Sequence, residues 1–103
     1  MPEPLTREDF LPHVHTIFRV DAPVALELEL AVIRDLSNAQ LEQFSLLFTG
    51  PASPWLEQGT YALLHQEKEI SLFLVPLGPE NGRMVYEAAF TRFASGTETR
   101  VVG

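Results

Sequence analysis

The feature that most constrains this chain is a two-residue repeat of apolar side chains in short segments that are joined by brief turns. In "ALELELAVI" the three leucines and Val32 alternate with smaller or charged side chains. A repeat of two places successive side chains on opposite faces of a β-strand. The segment therefore predicts a strand whose leucines and Val32 face a core. Glu27 and Glu29 are expected to face solvent, because an unpaired carboxylate is almost never buried.

Five further segments show the same alternation. They read "TIFRV", "QFSLLFTG", "GTYALLHQ", "EISLFLVPLG" and "MVYEAAFTRF". Residues 66–68 and the pair Asn81-Gly82 have the length and residue types of hairpin turns, and residues 37–42 are compatible with either one helical turn or a polar connection. Strands joined by connections this short pair antiparallel. We therefore predict a mainly all-β fold, a small antiparallel meander of about six strands that closes as a barrel or a sandwich.

The more apolar face of each predicted strand defines an expected core. Its members are Leu28, Leu30, Phe44, Leu46, Phe48, Tyr61, Leu63, Leu72, Leu74, Tyr86 and Phe90. Burial of these side chains would supply most of the stabilisation of a domain of this size.

The chain has the length of one domain, and we predict a single domain over residues 1–103. A short N-terminal helix is expected near residues 7–11, with Thr6 as its cap. Pro12 is expected to stop it, with a place inside the first turn as the alternative. The small polar residues of the tail, 94–103, predict fraying.

The charge balance argues against nucleic-acid and membrane partners. The chain has 7 basic and 14 acidic residues and a formal net charge of −7, which opposes attraction to phosphate groups. The densest apolar run, "ISLFLVPL", is too short to span a bilayer, and the N-terminus lacks the basic and apolar regions of a secretory signal. We expect a soluble, cytoplasmic protein.

Candidates for chemistry are few. The chain has no cysteine, which excludes disulfides, thiolate metal sites and cysteine nucleophiles. His13 and His15 in "HVH" fall on one side of an extended segment, and a metal site there would need His65 to converge with them. Glu27 and Glu29 could divide acid and base roles, but they resemble an exposed acidic stripe. We expect no metal, no cofactor, no catalytic residue and no enzymatic activity.

The loop "GPASPWLEQGTY" carries the candidate binding residues. Gly50-Pro51 is expected to end the preceding strand because proline has no amide hydrogen for a ladder. The loop then presents the only tryptophan of the chain. Tryptophan and tyrosine are enriched at binding hot spots, so Trp55, Leu56 and Tyr61 are the candidates. The alternative is that Trp55 and Leu56 fold back as a lid over an open barrel end.

Four segments carry a resemblance to a known family. "FSLLFTGP", "QGTYALLHQ", "LFLVPLGP" and "YEAAF" occur in this order. Together with the early "HVHTIFRV" they resemble a family of small bacterial domains of unknown function, over about residues 10–93. The resemblance implies bacterial origin and a compact β-rich domain, and it loosely associates the chain with accessory parts of larger assemblies such as phage-tail-like particles. It implies no activity, cofactor or catalytic residue.

Two functions are compatible with these features. The first is a non-enzymatic protein-interaction or assembly module, with a protein partner that the sequence does not identify and a homo-oligomer left open. The second is a small-molecule-binding β-barrel with its mouth near Trp55 and Tyr61. A core filled by leucine and phenylalanine favours the first function, whereas a cavity on the order of a few hundred cubic ångströms favours the second.

Overall fold

The computed structural model describes residues 7–21, 23–93 and 99–102. These residues form a mainly antiparallel β structure, which confirms the predicted fold class. The elements are α1 (Arg7–Phe10), a 3-10 turn (Leu11–His13), β1 (Ile17–Val20), β2 (Leu26–Asp35), β3 (Leu41–Pro51), β4 (Gly59–His65), β5 (Lys68–Glu80), β6 (Arg83–Phe93) and β7 (Thr99–Val102).

Pairing of β3 with β6 closes the sheet into a barrel. The two strands are antiparallel neighbours along the whole of β3, from Leu41 to Pro51. Elsewhere in the ring, β1 pairs with β4 at Arg19 and Val20. The order around the ring is β1-β2-β3-β6-β5-β4. Of the two closures that the sequence allows, the chain therefore adopts the barrel.

One connection departs from a continuous meander. Strands β1 to β3 pair in chain order, and so do β4 to β6, but β3 and β4 lie on opposite sides of the ring and do not pair. Residues 52–58, which join them, must therefore cross one end of the barrel. Alternation indicates where strands occur and does not indicate which strands pair, so the sequence did not reveal this crossing.

The core lies inside the barrel. Every predicted core residue is buried except Tyr61, which is partly buried and packs against the core. The structure adds Phe10, Phe18, Val20, Leu26, Leu56, Met84 and Ala88. Phe10 and Leu56 come from segments outside the strands, where alternation gives no indication of direction.

A β-bulge in β2 changes the face of two residues. The register of β2 against β3 shifts between Leu30 and Val32. A bulge adds one residue to one strand, so the alternation of side chains reverses after it. Val32 is therefore 45% exposed, and Ile33 packs against the core instead. The expected inward position of Val32 is wrong for this reason.

The predicted N-terminal helix is present as α1 and the 3-10 turn. The α-helix ends at Phe10, and Pro12 lies in the first turn of the following 3-10 segment, the second of the two positions expected for it, since the first residues of a helical turn need no amide hydrogen. Thr6, the expected cap, lies outside the described residues. No helix in the described part of the chain is long and apolar enough to cross a membrane.

The turns follow their residue types. Asn81 and Gly82 have φ angles of 54° and 78°, and Gln66 has a φ of 58°, so both predicted hairpin turns occupy the left-handed region. The side chain of Asn38 accepts hydrogen bonds from two backbone amides. This local pairing competes with helix formation, and residues 37–42 contain a polar connection and the start of β3 rather than a helical turn.

The C-terminal tail contributes a strand that the sequence does not predict. β7 pairs with β6 at residues 89–92, where β5 no longer pairs with β6. Residues 94–98 and 103 of the tail lie outside the described residues.

Side chains close both ends of the barrel. At one end, Phe10 is 1% exposed, and its ring centroid lies 6.3 Å from that of Phe44 and 5.8 Å from that of Phe90. At the other end, Leu56 from the crossing segment is also 1% exposed. Both ends are therefore filled by segments that lie outside the strands.

Replacing Ile33 by Thr is expected to lower the free energy of unfolding by about 1–3 kcal/mol, because the change places a hydroxyl against the core while it keeps a β-branched shape. The matched change Val32→Thr is expected to alter it by less than about 0.5 kcal/mol, since Val32 faces solvent. Urea unfolding followed by circular dichroism measures both. A larger loss for Val32 than for Ile33 would contradict the bulge.

Candidate functional site

The β3–β4 crossover, residues 52–58, is the first of two candidate sites. It spans the barrel end between Pro51 and Gly59 and has no regular secondary structure. Pro54 follows a cis peptide bond with Ser53. A segment without a ladder depends on side chains and single hydrogen bonds to fix its backbone.

Leu56 anchors the crossover in the barrel. Its side chain is buried, and its backbone amide donates a hydrogen bond of 2.8 Å to Tyr86 Oη. Tyr86 is itself fully buried. Burial raises the pKa of the Tyr86 hydroxyl above its ordinary value, so the group is neutral at physiological pH. The anchor is therefore a buried contact between two uncharged groups.

The two aromatic candidates near the crossover differ in exposure. Trp55 is 47% exposed although the next residue, Leu56, is buried. Tyr61 is partly buried, and its hydroxyl donates a hydrogen bond of 2.6 Å to the backbone carbonyl of Glu57. Leu56 and Tyr61 thus hold the crossover in place. Of the three candidate binding residues, Trp55 is the one that the fold displays to solvent.

A surface cleft, called the outer cleft below, runs along the wall beside the crossover. It has a volume of about 330 Å³ and is lined by Ile17, Ala25, Leu26, Glu27, Pro51, Pro54 and Arg83. Within the described residues, Arg83 forms no ion pair, and its guanidinium donates a long hydrogen bond of 3.5 Å to the Thr49 carbonyl. By contrast Arg7, Arg19 and Arg34 each pair with a carboxylate.

Sequence reasoning missed the outer cleft because barrel closure assembles it. Arg83 and Pro51 become neighbours only when β6 pairs with β3, and Pro54 reaches the wall through the crossover. The alternation in "TIFRV" puts Ile17 on the face opposite Phe18, and this pattern is a sequence signal for an apolar side chain on the outside of the wall.

A histidine cluster at the other end of the barrel is the second candidate site. We use this name for His13, Thr16, Phe18 and His65. His65 is 6% exposed and stacks on Phe18, with ring centroids 4.3 Å apart. The ring of His13 meets His65 edge-on, also at 4.3 Å. Burial and, secondly, the neighbouring His13 lower the pKa of His65 below its ordinary value.

The hydrogen bonds of Thr16 determine the tautomer of His65. Thr16 Oγ1 donates to the backbone carbonyl of His13 at 2.5 Å, because a carbonyl oxygen can only accept. A hydroxyl has one proton, so Thr16 Oγ1 accepts the second bond, of 2.8 Å, from His65 Nε2. His65 Nε2 therefore carries hydrogen and cannot remove a proton from Thr16. This arrangement does not activate Thr16 as a nucleophile.

The two histidines of "HVH" have different partners. His15 is exposed, and its Nδ1 lies 3.3 Å from the Glu29 carboxylate, whereas His13 contacts His65. Glu27 and Glu29 also have different surroundings: Glu27 lines the outer cleft, whereas Glu29 lies near His15. Within the part of the chain that the structure describes, no three His, Asp or Glu side chains are grouped so that they could hold a metal ion.

The chain matches one protein-family model over most of its length. A family model described as a domain of unknown function (DUF6916) matches residues 5–90. The matched residues include the crossover and the histidine cluster. No curated protein and no solved structure matches the chain.

Replacing Leu56 by Ala is expected to lower the free energy of unfolding by about 2–5 kcal/mol, because it empties the position that closes one barrel end. Trp55→Ala is the matched control in the same loop and is expected to cost less than about 1 kcal/mol. Chemical unfolding followed by circular dichroism measures both. If the Trp55 variant were the less stable of the two, Trp55 would be the lid.

Addition of zinc is expected to leave the melting temperature unchanged, because His15 is turned away from His13 and His65. A ligand that binds the folded state at 100 times its dissociation constant adds about 2.7 kcal/mol of stability, which a thermal shift detects. A rise of several degrees that His13→Ala abolishes would contradict this expectation.

Proposed function

Because the chain belongs to the DUF6916 family of domains of unknown function, we propose its role from its own geometry: it is a non-enzymatic protein-interaction module that contacts its partner through Trp55 and the outer cleft. The observation that carries the proposal is the 47% exposure of Trp55 next to a residue that is anchored in the core. A large aromatic side chain displayed on an ordered surface is typical of interaction hot spots.

The anchoring of the crossover supports the proposal. The Leu56 amide binds Tyr86 Oη on one side of Trp55, and the Glu57 carbonyl binds the Tyr61 hydroxyl on the other. A contact residue whose backbone is already fixed loses little conformational entropy when a partner docks. The backbone that follows Trp55 is therefore fixed before a partner docks.

The outer cleft offers contacts of the kind that interfaces use. Pro51, Pro54 and Ile17 supply apolar surface, and Ile17 is 48% exposed. Glu27 and Arg83 place one charge of each sign along the same cleft. Apolar contacts bordered by polar groups are the common anatomy of a protein interface. The cleft has room for a few side chains, so we expect the partner to insert a short segment there.

Small-molecule binding inside the barrel has less support. Leu56 lies where the mouth near Trp55 and Tyr61 would have to open. The interior is occupied by leucine and aromatic side chains. The outer cleft is at the small end of the range for ligand pockets, roughly 300–1,000 Å³, but it lies on the outside of the wall.

The net charge and the hydrogen bonds of the histidine cluster support the proposed class of partner and the non-enzymatic role. The net charge of −7 disfavours DNA, RNA and anionic lipid as partners, and the exposed tryptophan favours another protein. The hydrogen-bond directions at Thr16 and His65 do not suit nucleophilic catalysis, in line with a non-enzymatic role. We propose a soluble, cytoplasmic bacterial protein, and the module is compatible with a homo-oligomer.

Photocrosslinking in the native host tests the contact surface. Benzoylphenylalanine is placed at Trp55 and, as a control, at Leu36, which is 52% exposed at the opposite end of the barrel. We expect an adduct of discrete mass from position 55 and none from position 36.

The partner identified by mass spectrometry is then purified and titrated. Trp55→Ala is expected to weaken its binding about 30-fold, the effect of losing a hot spot worth about 2 kcal/mol, while Leu36→Ala leaves it unchanged. Intrinsic fluorescence reports the contact directly, since Trp55 is the only tryptophan. Equal binding by both variants would refute the proposed surface.

A further inference from the structure

The N-terminal plug, residues 7–15, covers the barrel end that lies opposite the crossover. Phe10 is its apolar contact and lies against Phe44 and Phe90. His13 is its contact with the barrel wall, where it meets the buried ring of His65. The same cluster thus joins a segment outside the barrel to the end of β4.

Besides this ring contact, an exposed ion pair and a backbone hydrogen bond join the plug to the barrel. Arg7 donates a hydrogen bond of 2.6 Å to the Asp35 carboxylate, but both side chains are exposed, and exposed ion pairs contribute little. The backbone amide of His15 donates to the Leu30 carbonyl at 2.6 Å. His15 has a φ of 72°, a conformation uncommon for residues other than glycine. The chain changes direction there between the plug and β1.

Protonation of His65 conflicts with this packing. The neutral ring uses its Nε2 hydrogen to bind Thr16, so an added proton must go to Nδ1. The resulting charge would lie in a ring that is 6% exposed and stacked on Phe18. A charge on His13 would lie beside it, with the ring centroids 4.3 Å apart. The closed arrangement therefore accommodates the His65 ring best when that ring is neutral.

The charged groups on the surrounding elements are not among the causes that shift the pKa of His65. Lys68 of β5 is the register partner of His65, and the following Glu69 is opposite Leu64. Glu29 of β2 faces His15. On the plug, Glu8 pairs with Arg7 at 3.1 Å, and Asp9 lies four residues before His13. Burial and His13 are the causes of the lowered pKa of His65, and neither is a carboxylate.

We propose that His13 and His65 form a proton-sensitive latch, which holds the N-terminal plug in the barrel end at neutral pH and releases it in mildly acid solution. Separation of the plug moves His13 away and opens His65 to water, so the His65 imidazole can then carry a charge. Release also uncovers Phe44 and Phe90, which stack at 4.7 Å. Acid would thereby expose an apolar surface at the end opposite Trp55, a property beyond the proposed binding surface.

The direction of the pH effect follows from proton linkage. The pKa of His65 is lowered in the closed form and returns toward about 6.5 when the plug leaves. The released form therefore binds more protons, and release is favoured as pH falls below about 6.5. The effect levels off below the pKa of the closed form. Coupling to one proton changes the release equilibrium by at most about tenfold per pH unit.

Hydrogen exchange of the full chain tests the latch. Exchange is measured between pH 7.5 and pH 5 and is corrected with an unstructured peptide of the same sequence as the plug. We expect protection of residues 7–15 to fall up to about tenfold per pH unit below pH 6.5, while β3 and β6 stay protected. Nitrogen NMR of the side chains is expected to show hydrogen on His65 Nε2 at neutral pH.

Substitutions test whether His65 causes the pH dependence of plug protection. His65→Gln keeps a donor for Thr16 but does not titrate, and it is expected to abolish the pH dependence, while His15→Gln at an exposed histidine leaves it intact. If the His65 variant does not fold, His13→Gln provides the second test and is expected to weaken the dependence. A response that survives both changes, simultaneous loss of protection in β3, or hydrogen on His65 Nδ1 would each overturn the latch.

Discussion

The pairing of β3 with β6 is the contact on which the rest of the structure depends. It runs along all of β3 and places the inward side chains of Phe44 and Phe48 opposite Phe90 and Tyr86. Cross-strand aromatic pairs of this kind stabilise a sheet beyond the area they bury. Once β6 occupies this edge of β3, β4 cannot pair there, and the chain has to cross the barrel end to reach the other side of the ring. Closure of the barrel and the position of Trp55 therefore have one origin.

The pairing of β3 with β6 also explains which features could be predicted from the sequence and which could not. Alternation predicts a strand wherever side chains face a core and solvent in turn, and it placed ten of the eleven expected core residues inside the barrel. It fails at Val32, where one inserted residue reverses the faces without any change in residue type. It also fails at Leu56 and Phe10, because a segment that crosses a barrel end has no repeat of two. The proline-rich loop did indicate Trp55, but only tertiary pairing could decide that Leu56 points inward and Trp55 outward.

Contacts between distant segments explain why the histidine cluster was not predicted as a unit. The "HVH" pattern relates His13 and His15 as neighbours on one side, whereas the turn at His15 sends the two rings to different partners. His65 joins His13 because β4 pairs with β1 next to the plug. From the sequence, a metal site at His13 and His15 would require His65 as its third histidine. The structure brings His13 and His65 together, and within the described residues no third metal-ligating side chain joins them.

The two barrel ends are closed by different chemistry, and this difference separates their roles. At the crossover, the buried polar contact joins an amide to the Tyr86 hydroxyl, whose pKa burial raises still further above neutrality. Neither group changes charge between pH 5 and pH 8, so the support of Trp55 is the same across that range. At the plug, the buried polar group is the imidazole of His65, a type of group whose ordinary pKa of about 6.5 lies inside that range. In the proposed latch, a change in pH acts on the plug end of the barrel, while the crossover anchor keeps the same protonation state.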